Sequence, residues 1–349
     1  MKKVLLFAPD WVDFISEFEK NLKYCGFEVV TINRDIPPFK YKNAGQKIYN
    51  FLRKTFLRDF SYKKRLKEKH IKYHQYKFSS PADFYDYAFI VRADILTIDE
   101  LKLIRQISVK MVGYHFDALH RYPGIFSRIN YFDRFFVFDP EDLQKYPQYR
   151  LQFITNFYFD YPGSDIDTPS TGRTEYDLYY LGSYEPSRMN EIVKLSDFLI
   201  KNNTRYKIEL FFYKDKLHKI TPELEKLITC LTKSIPMQEY LLRVKKAAAI
   251  LDFVLPQHTG LSFRVFESIR YEKKLVTTNQ HVMHYDFYIP DNIFILNDNY
   301  EELAEFLKRP YVKLPAKIRK KYSFTNWIKN VFEEGSFEKI HLNTTVNAE

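Results

Sequence analysis

Cysteine is nearly absent from this chain: Cys25 and Cys230 are the only two in 349 residues. That excludes a disulfide framework and a Cys-rich metal site. Long apolar runs are missing as well. The first, Val4–Pro9, stops at Asp10, short of what a signal peptide needs, and no other run approaches a membrane span. The expected location is cytoplasmic. No GxGxxG follows the first strand-like segment, so the dinucleotide fingerprint is excluded. HExxH and DxD pairs are lacking and the nine histidines are scattered, which argues against a metal. No internal repeat or low-complexity block is present.

What is there reads as a soluble globular protein, 45% hydrophobic and 28% charged. The length suits two domains, each with its own core. Thirty-two Phe and 28 Tyr supply material for aromatic packing and for sugar-facing surfaces. The net charge of +10 points to anionic partners: nucleotide phosphates, membrane headgroups or an acidic glycan.

The stretch Ala247–Asn279 carries the most chemistry. It reads AAAILDFVLPQHTGLSFRVFESIRYEKKLVTTN. Ala247–Val254 predicts a buried strand, and Pro256 to Gly260 breaks regular structure. From Leu261 the apolar residues recur near one face of a 3.6-residue period, and Leu275–Thr278 is a second strand. Strand, glycine turn, helix and strand make a βαβ unit whose helix start favours an anion. Its first N–H groups lack intrahelical partners, and the helix dipole adds positive charge there. Thr259, Ser262 and Arg264 bring two hydroxyls and a guanidinium to the same point. A βαβ unit with one glycine also occurs in α/β proteins that bind no phosphate.

The pattern resembles the donor half of GT-B glycosyltransferases, nucleotide-sugar enzymes built from two Rossmann-like domains. Nearest in look are enzymes of bacterial lipopolysaccharide, O-antigen and capsule assembly, including CgeB-like and group 1-like C-terminal halves, with a similar G-L-S-x-R-x-x-E stretch. The resemblance implies that His258, Thr259, Gly260 and Leu261 form the donor phosphate turn and that Glu267 bonds the ribose. It also implies no cofactor and no metal, the nucleotide-sugar being the substrate. Many retaining members place a Glu eight residues before the ribose Glu. Here that position is Thr259, so inversion is favoured over retention.

In the first half, Lys3–Ala8 is a strand, Asp13–Cys25 an amphipathic helix capped by Gly26, and Phe27–Ile32 a second strand. Asp10 and Trp11 stand at a strand end where open α/β sheets carry ligand-contacting loops, and are candidates for acceptor binding; capping or packing is the plainer role. Tyr87–Ala93 and Val109–Tyr114 are the next strands, each ending in ionisable residues. Asp94 follows one; His115 and Asp117 follow the other. Sugar transfer to a hydroxyl needs the acceptor proton removed, and a carboxylate or imidazole in reach can remove it. Asp117 is the leading candidate, with His115 and Asp94 as rivals; the alternative is that Asp117 caps a turn. His120 and Arg121 are candidates for an anionic acceptor. Phe135–Phe138 and Leu151–Thr155 complete a parallel sheet.

The segment 40–77 is compositionally separate, with 13 Lys and Arg against Asp59 and Glu68, and tyrosines and phenylalanines between them. It reads as a solvated basic helix or as a surface for anionic lipid or a lipid-linked acceptor, each basic group near such a membrane being worth ~1 kcal/mol. No RNP-like or helix-turn-helix pattern supports nucleic acid.

The expected architecture is α/β: two Rossmann-like domains in the GT-B arrangement, with a crevice between them. Residues 1–160 form the acceptor domain and 161–175 a linker. Residues 176–322 form the donor domain, and 323–334 a helix crossing back. Residues 335–349 are a flexible tail. Tyr176–Leu181 opens the second domain, and Gly182, Ser183 and Arg188 in the loop after it are candidates for the donor phosphates. Pro222–Leu231 is expected as one helix. The functional expectation is transfer from a nucleotide-sugar to a saccharide or lipid-linked saccharide, on the inner face of the membrane. A nucleotide-sugar epimerase and a non-catalytic nucleotide-sugar or glycan-binding module are the rivals.

Overall fold

In a computed structural model, which describes residues 1–9, 12–32, 39–73, 84–162, 174–255 and 258–341, the chain builds two parallel six-stranded sheets. The first sheet holds β1 (Lys3–Phe7), β2 (Glu28–Thr31), β3 (Tyr85–Val91), β4 (Ser108–His115), β5 (Arg134–Val137) and β6 (Leu151–Phe153) in the order β2-β1-β3-β4-β5-β6. The second holds β7 (Tyr176–Ser183), β8 (Tyr206–Phe211), β9 (Thr229–Leu231), β10 (Ala247–Asp252), β11 (Lys274–Thr277) and β12 (Ile293–Ile295) in the order β12-β11-β10-β7-β8-β9. Parallel strands with both faces covered read as continuous apolar runs, which is why VLLF, AFIV and AAAIL were legible as strands. Register follows: Val4 pairs with Tyr87, and Ile250 with Leu275 and Tyr179.

Helices connect the strands: α1 (Phe14–Tyr24), α2 (Ala44–Phe56), α3 (Ser61–Tyr73), α4 (Ile98–Gln106) and α5 (Glu141–Lys145) in the first domain. The second has α6 (Pro186–Lys201), α7 (Pro222–Leu227), α8 (Met237–Lys245), α9 (Phe263–Arg270) and α10 (Tyr300–Lys308). Gly26 ends the turn after α1 at φ 88°, a conformation only glycine adopts freely. Thr97 and Glu100 cap α4 reciprocally. The helix expected over 222–231 is two elements. Ile228 is extended and buried, which ends α7 and lets Thr229–Leu231 add an edge strand beside β8.

The chain then returns to the first domain through α11 (Ala316–Lys321) and α12 (Phe324–Phe332). The Trp327 Nε1–H donates to the Thr155 carbonyl at 2.7 Å, and Phe332 stacks on Tyr87 with ring centroids 4.2 Å apart. The stretch expected as a flexible tail begins instead as packed chain. Glu338 N–H donates to Asn326 Oδ1 at 2.8 Å, and Ile340 is buried. The paired amides of Asn326 and Asn330 are what hold it there.

Where the strand order reverses, between β1 and β3 and between β7 and β10, the loops at the C-terminal strand ends open a crevice, the usual ligand position in such sheets. The domains touch below it. Phe263, at the start of α9, packs edge-on to Phe14 and Phe157, with centroids 5.4 and 5.3 Å apart. Gly260 lies against Phe138: a Cβ there would stand 2.7 Å from the Phe138 carbonyl oxygen, so only glycine lets the two backbones approach this closely.

Candidate active site between the two domains

A cavity of about 700 Å³ occupies the crevice, walled by both sets of strand ends. That volume suits a ligand of nucleotide-sugar size. Asp117, Arg121, Phe138 and Asn156 come from the first domain. Gly182, Ser183, Arg188, His258, Gly260, Ser262, Arg264 and Glu267 come from the second.

On the second-domain side two guanidinium groups face the cavity. Arg264, in the first turn of α9, donates through Nε and Nη2 to the Leu181 carbonyl at 3.2 and 2.5 Å, and its Nη1 lies 3.5 Å from Asp252 Oδ1. Its plane lies over the Tyr180 ring at 5.0 Å. Arg188, in the first turn of α6, reaches the Tyr180 hydroxyl at 3.3 Å, and its buried Nε has no partner among the described residues. Gly182 leaves room for that tyrosine, since a Cβ would run into its ring. Ser262 was expected to present its hydroxyl to phosphate. It donates instead to Asp252 Oδ1 at 2.8 Å, because the buried carboxylate at the end of β10 needs donors; Thr277 Oγ1 supplies another at 3.2 Å. The helix start is thus braced from beneath by Asp252.

Glu267, one turn further along α9, lines the cavity and is buried. Burial pushes its carboxyl up to about 7, against the opposing hydrogen bond from the Tyr240 hydroxyl and the charge of Arg264. A carboxyl poised between ionised and neutral in this position can accept from, or donate to, a ligand hydroxyl.

On the opposite wall Asp117 sits 3.1 Å from His258 Nε2 of the second domain, and Arg121 Nη1 donates to both its oxygens at 2.9 and 3.1 Å. Burial pushes the Asp117 carboxyl up, but His258 and Arg121 outweigh it and hold the group well below the usual carboxylate range. Asp117 also accepts from the Ala118 N–H at 3.1 Å, so the turn-capping role and the crevice position coexist.

The rival bases lie elsewhere. Asp94 receives Nε and Nη2 of buried Arg92 at 2.8 and 2.9 Å and does not line the cavity. Its partner, stacked 3.7 Å over Tyr122, needs the counter-charge, so Asp94 holds a fold-internal pair. His115 is fully buried beside it, and burial together with the Arg92 charge lowers its imidazole to about 4. It is neutral at physiological pH and out of reach of the cavity. His120 is exposed and away from the cavity lining. Asp10 and Trp11 lie outside the described residues.

Thr259 and Leu261 were expected in the phosphate turn, yet neither faces the cavity. Leu261 is core. Thr259 donates through Oγ1 and N–H to Asp139 of the first domain, at 2.5 and 3.1 Å. Asn279 secures the same turn, donating to the carbonyls of Thr259 and Gly260 at 3.3 and 3.2 Å, and Asn156 reaches across to the Leu261 carbonyl at 2.9 Å. Sequence reading missed Asp139, Asn156 and Tyr240 as partners of the site. The one available signal was position: Asp139 and Asn156 follow the ends of β5 and β6, and Tyr240 lies in the first turn of α8. Among the described residues no cluster of three His, Cys, Asp or Glu side chains is arranged to hold a metal ion.

No family model matches the chain, and no curated protein matches it. Solved structures do. An alpha-glucosyltransferase in complex with UDP and a 13-mer DNA containing an HMU base superposes with a TM-score of 0.51 at 12% identity, over 88% of this chain and 90% of that one. AviGT4, a glycosyltransferase involved in avilamycin A biosynthesis, gives 0.45 at 10% identity over 89% of both chains. S. aureus TarM, in a complex with fondaparinux, alpha-GlcNAc-glycerol and UDP, gives 0.39 at 12% identity over 63% of this chain and 47% of TarM, so the chain spans about half of TarM's length. What the alpha-glucosyltransferase shares with this chain is the fold. Two facing Rossmann-like domains with a crevice at their strand ends are the GT-B architecture, and this chain has it.

Proposed function

We propose that the protein is a glycosyltransferase that moves a sugar from a nucleotide-sugar to a saccharide or lipid-linked saccharide, in the assembly of a bacterial surface polysaccharide. The observation that carries this is the asymmetry of the crevice: Arg188, Arg264 and a helix start on one wall, and the Asp117–His258 pair on the other. The donor diphosphate would lie against the arginines and the N–H groups at the start of α9, which offset the charge of the leaving group in place of a metal. Glu267 would bond the ribose.

In the transfer step the acceptor oxygen bonds to the anomeric carbon as the bond from that carbon to the phosphate oxygen breaks. The electron pair leaves with the nucleoside diphosphate, and the acceptor proton goes to the imidazole of His258. Asp117, held as a carboxylate by Arg121, stands beside Nε2 of the ring and offsets the imidazolium charge. A carboxylate held so far down is a poor base itself, which moves the proton-accepting role from Asp117 to its partner. Position 259 carries no carboxylate, and we read the stereochemistry as inversion. The basic segment 40–77 would bring the enzyme to the anionic cytoplasmic face of the membrane.

The test is to offer UDP-, GDP-, TDP- and CMP-sugars and to measure nucleotide release with and without saccharide acceptors. Acceptor-dependent release of nucleoside diphosphate, or of CMP from the CMP-sugars, supports transfer. Interconversion of the sugar with the nucleotide still attached would mean an epimerase, and tight binding without turnover a binding module. The anomeric configuration of any product, read by NMR, decides inversion.

A further inference from the structure

The helical hairpin between β2 and β3 is assembled inside out. In α2 the apolar residues Ile48, Phe51, Leu52 and Phe56 fall at i, i+3, i+4 and i+8, one continuous stripe of an amphipathic helix. Such a stripe normally faces a core. Here all four are exposed, by 57, 61, 44 and 75%, and α2 buries no residue at all. The partner helix explains why the stripe is free. α3 packs beside the stripe, on the adjoining flank of α2, through Tyr49 and Arg53: Tyr49 meets Tyr62 edge-on at 4.9 Å, and Arg53 stacks on both rings and pairs with Asp59. The hairpin is held by its polar face, and its apolar face is left to solvent.

An exposed face of this kind needs an occupant, and charge decides between the two that fit. The segment 40–77 carries 13 basic residues against two acidic ones, and Asp59 is taken up by Arg53 and the Ser61 N–H. A second copy of the chain would set this charge against itself. A lipid surface rich in anionic headgroups meets both requirements, accepting aromatic and aliphatic side chains below the headgroups and basic ones among them.

We propose that α2 inserts in the plane of an anionic membrane, with Ile48, Phe51, Leu52 and Phe56 below the headgroups. This deepens the membrane part of the reading above by naming the inserting face. It does not depend on which sugar is transferred. It also changes the expected physics: attraction by charge alone vanishes in high salt, whereas an inserted stripe retains part of its hold.

The full-length protein is sedimented with vesicles of phosphatidylcholine alone and of phosphatidylcholine mixed with phosphatidylglycerol, over a range of NaCl. Wild type is expected on the mixed vesicles, with a residue of binding that survives high salt. Phe51→Ser with Phe56→Ser keeps the charge and should weaken partitioning by roughly tenfold per side chain removed, abolishing the salt-resistant part. Both residues are exposed, so circular dichroism should report an unchanged fold. Lys47→Gln with Lys54→Gln should weaken binding mainly at low salt. Binding of the serine variant equal to wild type would overturn insertion, as would no sedimentation of wild type with either vesicle. A dimer in analytical ultracentrifugation that the serine variant dissolves would overturn it too, assigning the face to a second copy. Nucleotide release from the donor sugar, measured without vesicles, should be the same for wild type and both variants, so a failure of the transfer reading shows separately.

Discussion

Asp117 and His258 come from different domains and stand 3.1 Å apart across the crevice, with Arg121 bracing the carboxylate from behind. The pair therefore exists only while the domains are closed on one another. In the proposed mechanism this gives the base a structural precondition that neither residue carries alone, and it separates their roles. Removing the imidazole by His258→Gln should lower turnover ~10²–10⁴-fold. Asp117→Asn should lose turnover over a similar range while leaving nucleotide affinity near wild type, since the proposed donor site is on the other wall. If His258→Gln turns over like wild type and Asp117→Asn does not, the carboxylate is itself the base.

Glu267 makes a prediction about binding rather than chemistry. Glu267→Gln keeps a side chain that can accept from Tyr240 and removes a charge that burial disfavours. Nucleotide affinity should fall by about tenfold, the worth of one hydrogen bond to a charged group. The sign for stability is opposite. A carboxyl raised to about 7 in the folded state contributes most below its unfolded value and loses that contribution as pH rises through about 7. The variant should therefore melt no lower than wild type at pH 8. A clear drop in melting temperature with intact affinity would make Glu267 a core residue only.

Asp94 should behave in the reverse way. Asp94→Asn leaves buried Arg92 without its full counter-charge and should cost on the order of 3–5 kcal/mol in urea unfolding. The stacking on Tyr122 survives, which keeps the loss toward the lower end. Turnover per folded molecule should stay within a few-fold of wild type. A large fall in turnover at unchanged stability would return Asp94 to the catalytic candidates.

Much of this architecture was legible because it rests on local patterns. Runs such as Val4–Phe7 and Ala249–Leu251 are buried on both faces and had to be apolar throughout, and the glycine turn before α9 announced itself by composition. The site was legible only where a residue's role follows from its own element. Arg264 and Glu267 ride on α9, and the structure places both on the cavity lining. Asp139 and Asn156 act on a loop more than a hundred residues away in sequence, and no spacing rule encodes that. The partners of Ser262 and Thr259 were illegible for the same reason: their hydroxyls donate to Asp252 and Asp139, carboxylates whose nearness only the folded chain creates. The single helix drawn over 222–231 failed because the edge of the sheet offered Thr229–Leu231 a strand partner.

Gly260 tests whether the closed arrangement matters. It has no unusual φ, so the requirement is for space: a Cβ would sit 2.6 Å from the Phe138 ring and 2.7 Å from that residue's carbonyl oxygen. The ring can rotate, but the backbone cannot yield without parting the domains. Gly260→Ala should cost ~1–3 kcal/mol of stability, as overpacking does. It should also lower kcat more than nucleotide affinity, because Asp117 and His258 separate while the arginine wall stays whole. Small-angle scattering should show a larger radius of gyration. Unchanged kcat in the alanine variant would mean that the closed contact at Phe138 is not the productive one.

Asp142 lies behind the site, and its pH dependence can be separated from catalysis. It is buried, accepts from the Leu119 N–H at 3.2 Å, and has Asp139 as a near neighbour. Burial first and the Asp139 charge second push its carboxyl up to about 6, against an ordinary value near 4. The folded state thus binds a proton more tightly than the unfolded chain does. Its contribution to stability is full below about 4 and is lost as pH rises through about 6, beyond which the ionised group is a net cost. Asp142→Asn keeps an acceptor for Leu119 and cannot ionise. Melting curves should show the variant more stable than wild type at pH 8, with the difference closing or reversing toward pH 4. Parallel curves for the two proteins across that window would mean that Asp142 reaches water when ionised and that its burial carries no such cost.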